Sequence, residues 1–198
     1  MPKIIKNVKD KIIYSATKRF ETLEYDQVDM KSIALDANIA VGTLYNYYSN
    51  KKDIFNAVFD NSWEETIKNV ARINYVRGHE IEFVRKSLEK IYDDMFDKKH
   101  MISQYLTVNS NALEMQLRED LHFEEEKSDN VIRRKLLLQI ENQIKEWNEI
   151  GIVNIDEGME VRFVGILFMD IWSLIVAFPE EREKNLLFLN KLVKNMLF

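Results

Sequence analysis

The 198-residue chain contains no cysteine, which excludes a disulfide framework and any chemistry that needs a thiolate. Glycine (5) and proline (2) are scarce, and no stretch alternates apolar and polar residues in the manner of a strand. With so few breakers the expected fold class is all-α. Long apolar runs are missing too. The longest, Phe163 to Phe178, is interrupted by Asp170 and Ser173, short of the ~20 residues a membrane span needs, and reads as a fully buried helix. Four lysines stud residues 1–14, so a secretory leader is not expected there; the chain is expected to be cytoplasmic, with no membrane partner. Catalytic machinery is also lacking. His79, His100 and His122 lie far apart, without metal-ligand neighbours, and there is no glycine-rich phosphate loop or nucleophile elbow. The acidic run at Glu124–Glu126 reads as a solvated face. The expectation is a protein that is not an enzyme and uses no metal and no cofactor.

What is present is enough apolar material for a sizeable core, at 46% of residues, and an uneven charge. The net charge is −5, yet residues 1–52 hold nine Lys/Arg against six Asp/Glu, net +3, and residues 53–198 hold nineteen against twenty-seven, net −8. A basic head on an acidic body suggests a local nucleic-acid surface.

The chain is organised around Ile33–Phe55, IALDANIAVGTLYNYYSNKKDIF. Its pattern reads as a short helix, a reversal at Asn38 (a residue type that tolerates left-handed backbone) and a second short helix over Val41–Tyr48. Gly42 in the first turn of that helix weakens it but permits close backbone approach. Tyr45, Tyr47 and Tyr48, followed by Lys51 and Lys52, suit a surface that docks on phosphates. Taken alone, the pattern equally fits a small core-packing hairpin with a solvated lysine pair.

Ile33, Ala34, Ala37, Ile39, Gly42, Thr43, Leu44, Tyr45, Tyr47, Tyr48, Lys51 and Ile54 resemble the signature of the TetR family of transcriptional regulators. The resemblance is specific over residues 8–60; beyond them it rests on chain length and helical pattern. It implies a helix-turn-helix DNA-binding domain at 1–52 and a helical ligand-binding and dimerisation domain at 53–198. By position it puts Val41, Gly42 and Tyr45 at base edges, Thr43, Tyr47 and Lys51 at phosphates, and Leu44 and Tyr48 on the packing face. The chain departs from the family at Glu24, at Val28 (commonly Thr, near the DNA backbone) and at Ala40 (often a capping Ser).

Along the rest of the chain, Val8, Ile12, Ala16 and Phe20 form one stripe of a first helix. Asp29 and Asn50 are candidate N-caps, the latter boxed with Asp53. The fourth helix is expected to run to about Val76 and end at Gly78. Further helices are expected at about 79–97, 101–107, 109–121, 126–150, 157–178 and 180–196, with Gly151 as a stop and Asp156 as a cap. The family resemblance implies a small-molecule pocket in the body. Candidate lining residues there are Phe83, Tyr92, Met95, Phe96, Tyr105, Phe168, Met169 and Trp172, adaptable apolar groups that suit a largely apolar ligand. Trp63, Met101 and Met115 gather with them, and all fit a plain core as well. Asp170, set in the most apolar helix, needs a partner if buried: a ligand, a dimer mate or a neighbouring group. The helices at 126–150 and 157–178 match the family's dimerisation pair, with Leu137, Ile140, Ile144 and Trp147 on one and Phe163, Ile166, Leu167 and Leu174 on the other.

These expectations describe a ligand-responsive repressor, a homodimer released from a palindromic DNA operator when a small molecule binds. Two rivals stay open: a protein-interaction module that keeps the fold without operator binding, and an all-α enzyme or carrier using the body pocket.

Overall fold

The computed structural model describes residues 8–109, 131–156 and 158–198, with side chains left aside at 131–137, 139 and 161. Within these residues every regular element is helical: α1 (Val8–Thr22), a 3-10 turn (Tyr25–Gln27), α2 (Met30–Asp36), α3 (Val41–Tyr47), α4 (Lys51–Ala71), α5 (Glu80–Asp97), α6 (Lys99–Val108), α7 (Val131–Glu149), α8 (Glu160–Ala177) and α9 (Arg182–Leu197). None of them is long and apolar enough to cross a membrane. The helix expected at 109–121, with Met115, lies outside the described residues.

The chain forms two compact units. Among the described residues the first holds 8–62 and 100–109, and the second holds 63–99 and the described part of 115–198. In the first unit α1 packs on α2 and α2 on α3. The four-residue spacing of Ile12, Ala16 and Phe20 places all three on the buried side of α1. Phe20 meets Phe55 at 4.8 Å between ring centres, Tyr25 meets Phe55 at 5.2 Å, and Tyr105 of α6 stacks on Phe59 at 3.8 Å. This aromatic column joins α1, α4 and α6 into one core.

In the second unit α5, α8 and α9 pack on one another, and α7 packs on α8. Leu88, Ile91, Tyr92 and Met95 of α5, Val164, Leu167, Ile171 and Ile175 of α8, and Leu186, Leu189 and Val193 of α9 are all buried. Two polar clamps set the register of α9. The Asn185 amide donates to Tyr92 Oη (2.8 Å) and to the Phe178 carbonyl (2.9 Å). The Arg182 guanidinium donates to Asp93 (2.7 Å) and Glu89 (3.2 Å) on α5. A third polar group joins α4 to α5, where Lys98 is ion-paired with Asp94 and donates to Thr66 Oγ1 (2.7 Å). Burial pulls the Lys98 amine below its ordinary range despite Asp94.

Four expectations change here. Helix α4 stops at Ala71 rather than near Val76. Beyond Ala71 the chain leaves the helix so that Tyr75 joins Phe83 (5.7 Å) and Trp147 (5.5 Å) in an aromatic trio, and Gly78 donates to Glu80 Oε1 (2.7 Å) at the start of α5 instead of closing α4. Asp156 does not cap α8, which begins after Met159 without a side-chain cap. The apolar helix is not fully buried: Ile166 (56% exposed), Met169 (50%) and Val176 (60%) form an outward stripe, and Asp170 beside it is only half-buried. Ile144 and Trp147, expected on a dimerisation face, lie inside the unit, because α7 turns that stripe inward to meet Phe163 and the aromatic trio. Gly151 does end α7. Its φ of +72° allows the paired closing bonds Ile152 N–H to Trp147 O (2.9 Å) and Gly151 N–H to Asn148 O (3.1 Å).

Candidate nucleic-acid interface and effector cavity

The turn between α2 and α3 is built from local chemistry. Asp29 Oδ1 accepts the Ser32 N–H (2.9 Å) and the Ser32 hydroxyl donates to the Asp29 carbonyl (2.8 Å), so α2 starts at a definite residue. The same backbone bond holds the Asp29 carboxyl below its ordinary value. Asn38 takes φ +53°, and Ile39 N–H to Ala34 O (3.0 Å) with Asn38 N–H to Leu35 O (3.0 Å) closes α2. This is the paired-bond helix ending in which glycine usually sits, here with asparagine in the left-handed position. Ile33 and Ala34 are fully buried, and Arg19 of α1 ties down the far end of α2 through Asp36 (2.7 Å).

Helix α3 has seven residues and no side-chain cap at Ala40. It is held by Leu44, fully buried, and by Tyr48 just after it; truncating a buried leucine of this kind to alanine costs about 2–5 kcal/mol. Successive residues rotate by about 100°, so the face opposite Leu44 carries Gly42 and Asn46, both exposed, flanked by Tyr45 and Tyr47, half-exposed. Val41 and Thr43 are partly covered. A Cβ added at Gly42 would meet nothing within 4 Å, so packing within the protein does not demand glycine there. The next helix is boxed as its spacing predicted, with Asp53 N–H to Asn50 Oδ1 (2.9 Å) and Asn50 Nδ2 to Asp53 Oδ2 (3.0 Å).

The structure brings Val41, Gly42, Thr43, Tyr45 and Tyr47 together on one short helix, but Lys51 is engaged elsewhere. Its amine donates to the Tyr25 carbonyl (2.7 Å) and lies 4.2 Å from the centre of the Tyr25 ring. Val28 is buried and serves the core. Sequence reasoning misses Asn46, although the signal is available: it lies two positions beyond the packing residue Leu44 and so at the centre of the outer face.

The second unit contains a cavity with about 610 Å³ of unfilled space, counting its mouth. Val70 of α4, Phe83, Ser87, Leu88 and Ile91 of α5, Ile140, Gln143, Ile144 and Trp147 of α7, Phe163 and Leu167 of α8, and Val193 and Leu197 of α9 are among its lining. Of the ligand residues expected from sequence, Phe83 is in this wall. Tyr92 and Met95 are buried core groups, Phe168 lies 6.2 Å from Trp63, Trp172 is half-buried, Met169 faces outward, and the Phe96 ring carries the Lys99 amine at 3.9 Å. Tyr105 belongs to the first unit. Of the residues expected at a dimer face, Ile140, Ile144, Trp147, Phe163 and Leu167 line the cavity instead, Leu174 is half-buried, and Ile166 is exposed. The Leu137 side chain lies outside the described residues. Ser87 also escapes sequence reasoning, although it interrupts the apolar stripe running from Phe83 to Ile91. Among the described residues no cluster of three or more His, Cys, Asp or Glu could hold a metal ion.

A capped helix, a left-handed turn and a short exposed second helix seated on an aromatic core define a helix-turn-helix of the kind that enters DNA grooves. Residues 12–58 match the family described as bacterial regulatory proteins, tetR family. The chain is 20% identical over 174 residues to IcaR of Staphylococcus epidermidis, the HTH-type negative transcriptional regulator of the icaADBC biofilm operon, a match covering 88% of this chain and 86% of the relative. Its fold is shared with a TetR transcription regulator from Haloarcula marismortui (TM-score 0.69, 13% identity, 96% of this chain and 98% of the other). The fatty acid degradation regulator FadR from Bacillus halodurans is similar to the same extent (TM-score 0.65, 16% identity, 96% of both chains). Residues 12–58 are a helix-turn-helix domain of the tetR family of bacterial regulatory proteins, and the chain is similar over most of its length to a transcriptional regulator that carries one.

Proposed function

We propose that this protein is a ligand-responsive repressor, a homodimer that holds a palindromic operator and leaves it when a small, largely apolar molecule occupies the cavity of the second unit. The observation that carries the DNA reading is Gly42. It weakens a seven-residue helix, faces open space and sits beside Asn46, Tyr45 and Tyr47. A glycine that nothing inside the protein requires fits a close approach from outside. Val41, Gly42 and Tyr45 meet base edges, and Asn46 can pair with adenine through two hydrogen bonds. Thr43 and Tyr47 meet phosphates. Lys51 contributes by bracing the Tyr25 turn, and reaches phosphate only if it exchanges that carbonyl for one.

One short helix reads few base pairs, so two copies about 34 Å apart are needed for a specific site. The face that suits the two-fold contact is the outward stripe of α8 (Ile166, Met169, Val176), together with Leu187 and Phe188 of α9, all exposed in the single chain. Two such pairs make a four-helix interface. Repression is supported by the negative regulator among its relatives, and an apolar effector by the cavity wall. Release follows if the ligand binds the DNA-free arrangement more tightly than the DNA-bound one. Helix α4, whose first part belongs to the head and whose Val70 lines the cavity, is the segment positioned to carry that difference.

The test is fluorescence anisotropy with duplexes selected from a random pool and with the DNA upstream of the protein's own gene. Specific binding whose affinity falls steeply with added salt is expected, because phosphate contacts release counterions. Absence of specific binding at low salt would refute the operator reading and favour an interaction module.

A further inference from the structure

We infer that the molecule this cavity accepts is uncharged: a hydrocarbon body carrying one hydrogen-bond-accepting oxygen, anchored by Ser87. The inference rests on the ligand-responsive reading above and narrows it. Among the described residues the lining contains no Asp, Glu, Lys, Arg or His, and its polar groups are Ser87, Gln143 and the Trp147 indole N–H. Arg162, next to the lining residue Phe163, is exposed and donates to the Gly158 carbonyl (2.9 Å), and two arginines of α5 and α9 are ion-paired. Arg85 is bound to Glu82 (2.9 Å) and Glu89 (3.4 Å), and Arg182 to Asp93 (2.7 Å). A carboxylate or ammonium placed inside would lose its hydration and find no opposite charge, the costliest form of burial.

The polar end of the ligand is defined by Ser87. Its hydroxyl is buried and has no hydrogen-bond partner within the described protein, whereas buried hydroxyls are nearly always satisfied. Gln143 has its amide nitrogen turned to Glu146 Oε2 (3.1 Å), and the Trp147 indole N–H is a second buried donor without a hydrogen-bond partner among the described residues. Ser87 is therefore a donor left for a guest, with the Trp147 indole N–H in the same wall. The surrounding Phe83, Ile91, Ile144 and Trp147 offer hydrocarbon and ring faces. A ketone, alcohol or ester oxygen on a compact apolar skeleton satisfies both features. A fatty acid anion satisfies only the second.

The experiment is calorimetric titration of the full chain at about pH 7.5 with three probes of equal length: 1-octanol, octanoate and octylammonium. Octanol is expected to bind, with each charged analogue at least about a hundredfold weaker. The Ser87→Ala variant, a small change within a helix, is expected to keep its fold by circular dichroism and to lose about tenfold in octanol affinity. Octanoate binding as tightly as octanol would overturn the uncharged-ligand inference while leaving the ligand-responsive reading in place. Octanol affinity unchanged in Ser87→Ala would overturn the anchor. Failure of all three probes to bind would overturn the inference about this cavity. The regulator reading itself is judged separately, by DNA binding without any probe.

Discussion

Replacing Gly42 with alanine sets the fold and the proposed function against each other. Alanine is the better helix former by about 1 kcal/mol in a helix interior, and Gly42 is only the second residue of α3, so about half of that is expected here. No steric cost offsets it, since the added Cβ meets nothing within 4 Å and the position needs no positive φ. In a chain of 198 residues a gain of about 0.5 kcal/mol raises Tm by about 1–2 °C. DNA binding should move the other way. A methyl group between the α3 backbone and a base edge or phosphate removes close contacts and holds the helix away from the groove, and a loss of about 1.4 kcal/mol per head is tenfold in affinity. Thermal melts and anisotropy on the same preparations check both signs. A Gly42→Ala variant that binds operator as tightly as wild type shows that this face of α3 does not dock on DNA. A fall in Tm would contradict the open space seen at the position.

Three further outcomes are expected. Replacing Ile166 and Met169 with glutamate places two charges in the proposed dimer stripe; sedimentation should show a monomer at micromolar concentration and operator binding should fall with it, while a persisting dimer would move the interface elsewhere. Asp94→Asn removes the charge paired with the buried Lys98 amine, and denaturant unfolding should show a loss of about 3 kcal/mol; an unchanged midpoint would mean that the pair adds nothing to the fold. The Asp29 carboxyl is held below its ordinary 3.8 by the Ser32 N–H, so its cap stabilises the head above about pH 4 and is lost as pH falls through the depressed value. Asp29→Ala should lower Tm at about pH 7 and flatten the pH dependence between about pH 4 and the folded value, and an NMR titration of Asp29 with a midpoint at or above 3.8 would contradict the bond.

The head is legible in the sequence because its determinants are local. Asp29, Asn38, Asn50 and Asp53 act within a few residues of their own backbone, and the spacing of Ile12, Ala16 and Phe20 names the buried side of α1 without reference to anything distant. The body is legible only as helices. Its long helices carry apolar residues on more than one side, and periodicity cannot say which side turns inward. Ile144 and Trp147 read as a dimer face and form the cavity wall, while Ile166 and Met169, in a helix that reads as wholly buried, face outward.

Composition and short-range spacing suffice for an all-α chain, for a capped helix-turn-helix with Gly42 and three tyrosines on or beside its second helix, and for the absence of thiol chemistry. Long-range packing alone sets the rest: Lys51 turns to Tyr25, Ser87 lies unpaired in an apolar wall, and one stripe of each body helix meets its neighbours. Those outcomes depend on how residues far apart in the chain share one interior, and a sequence read segment by segment carries no record of that competition.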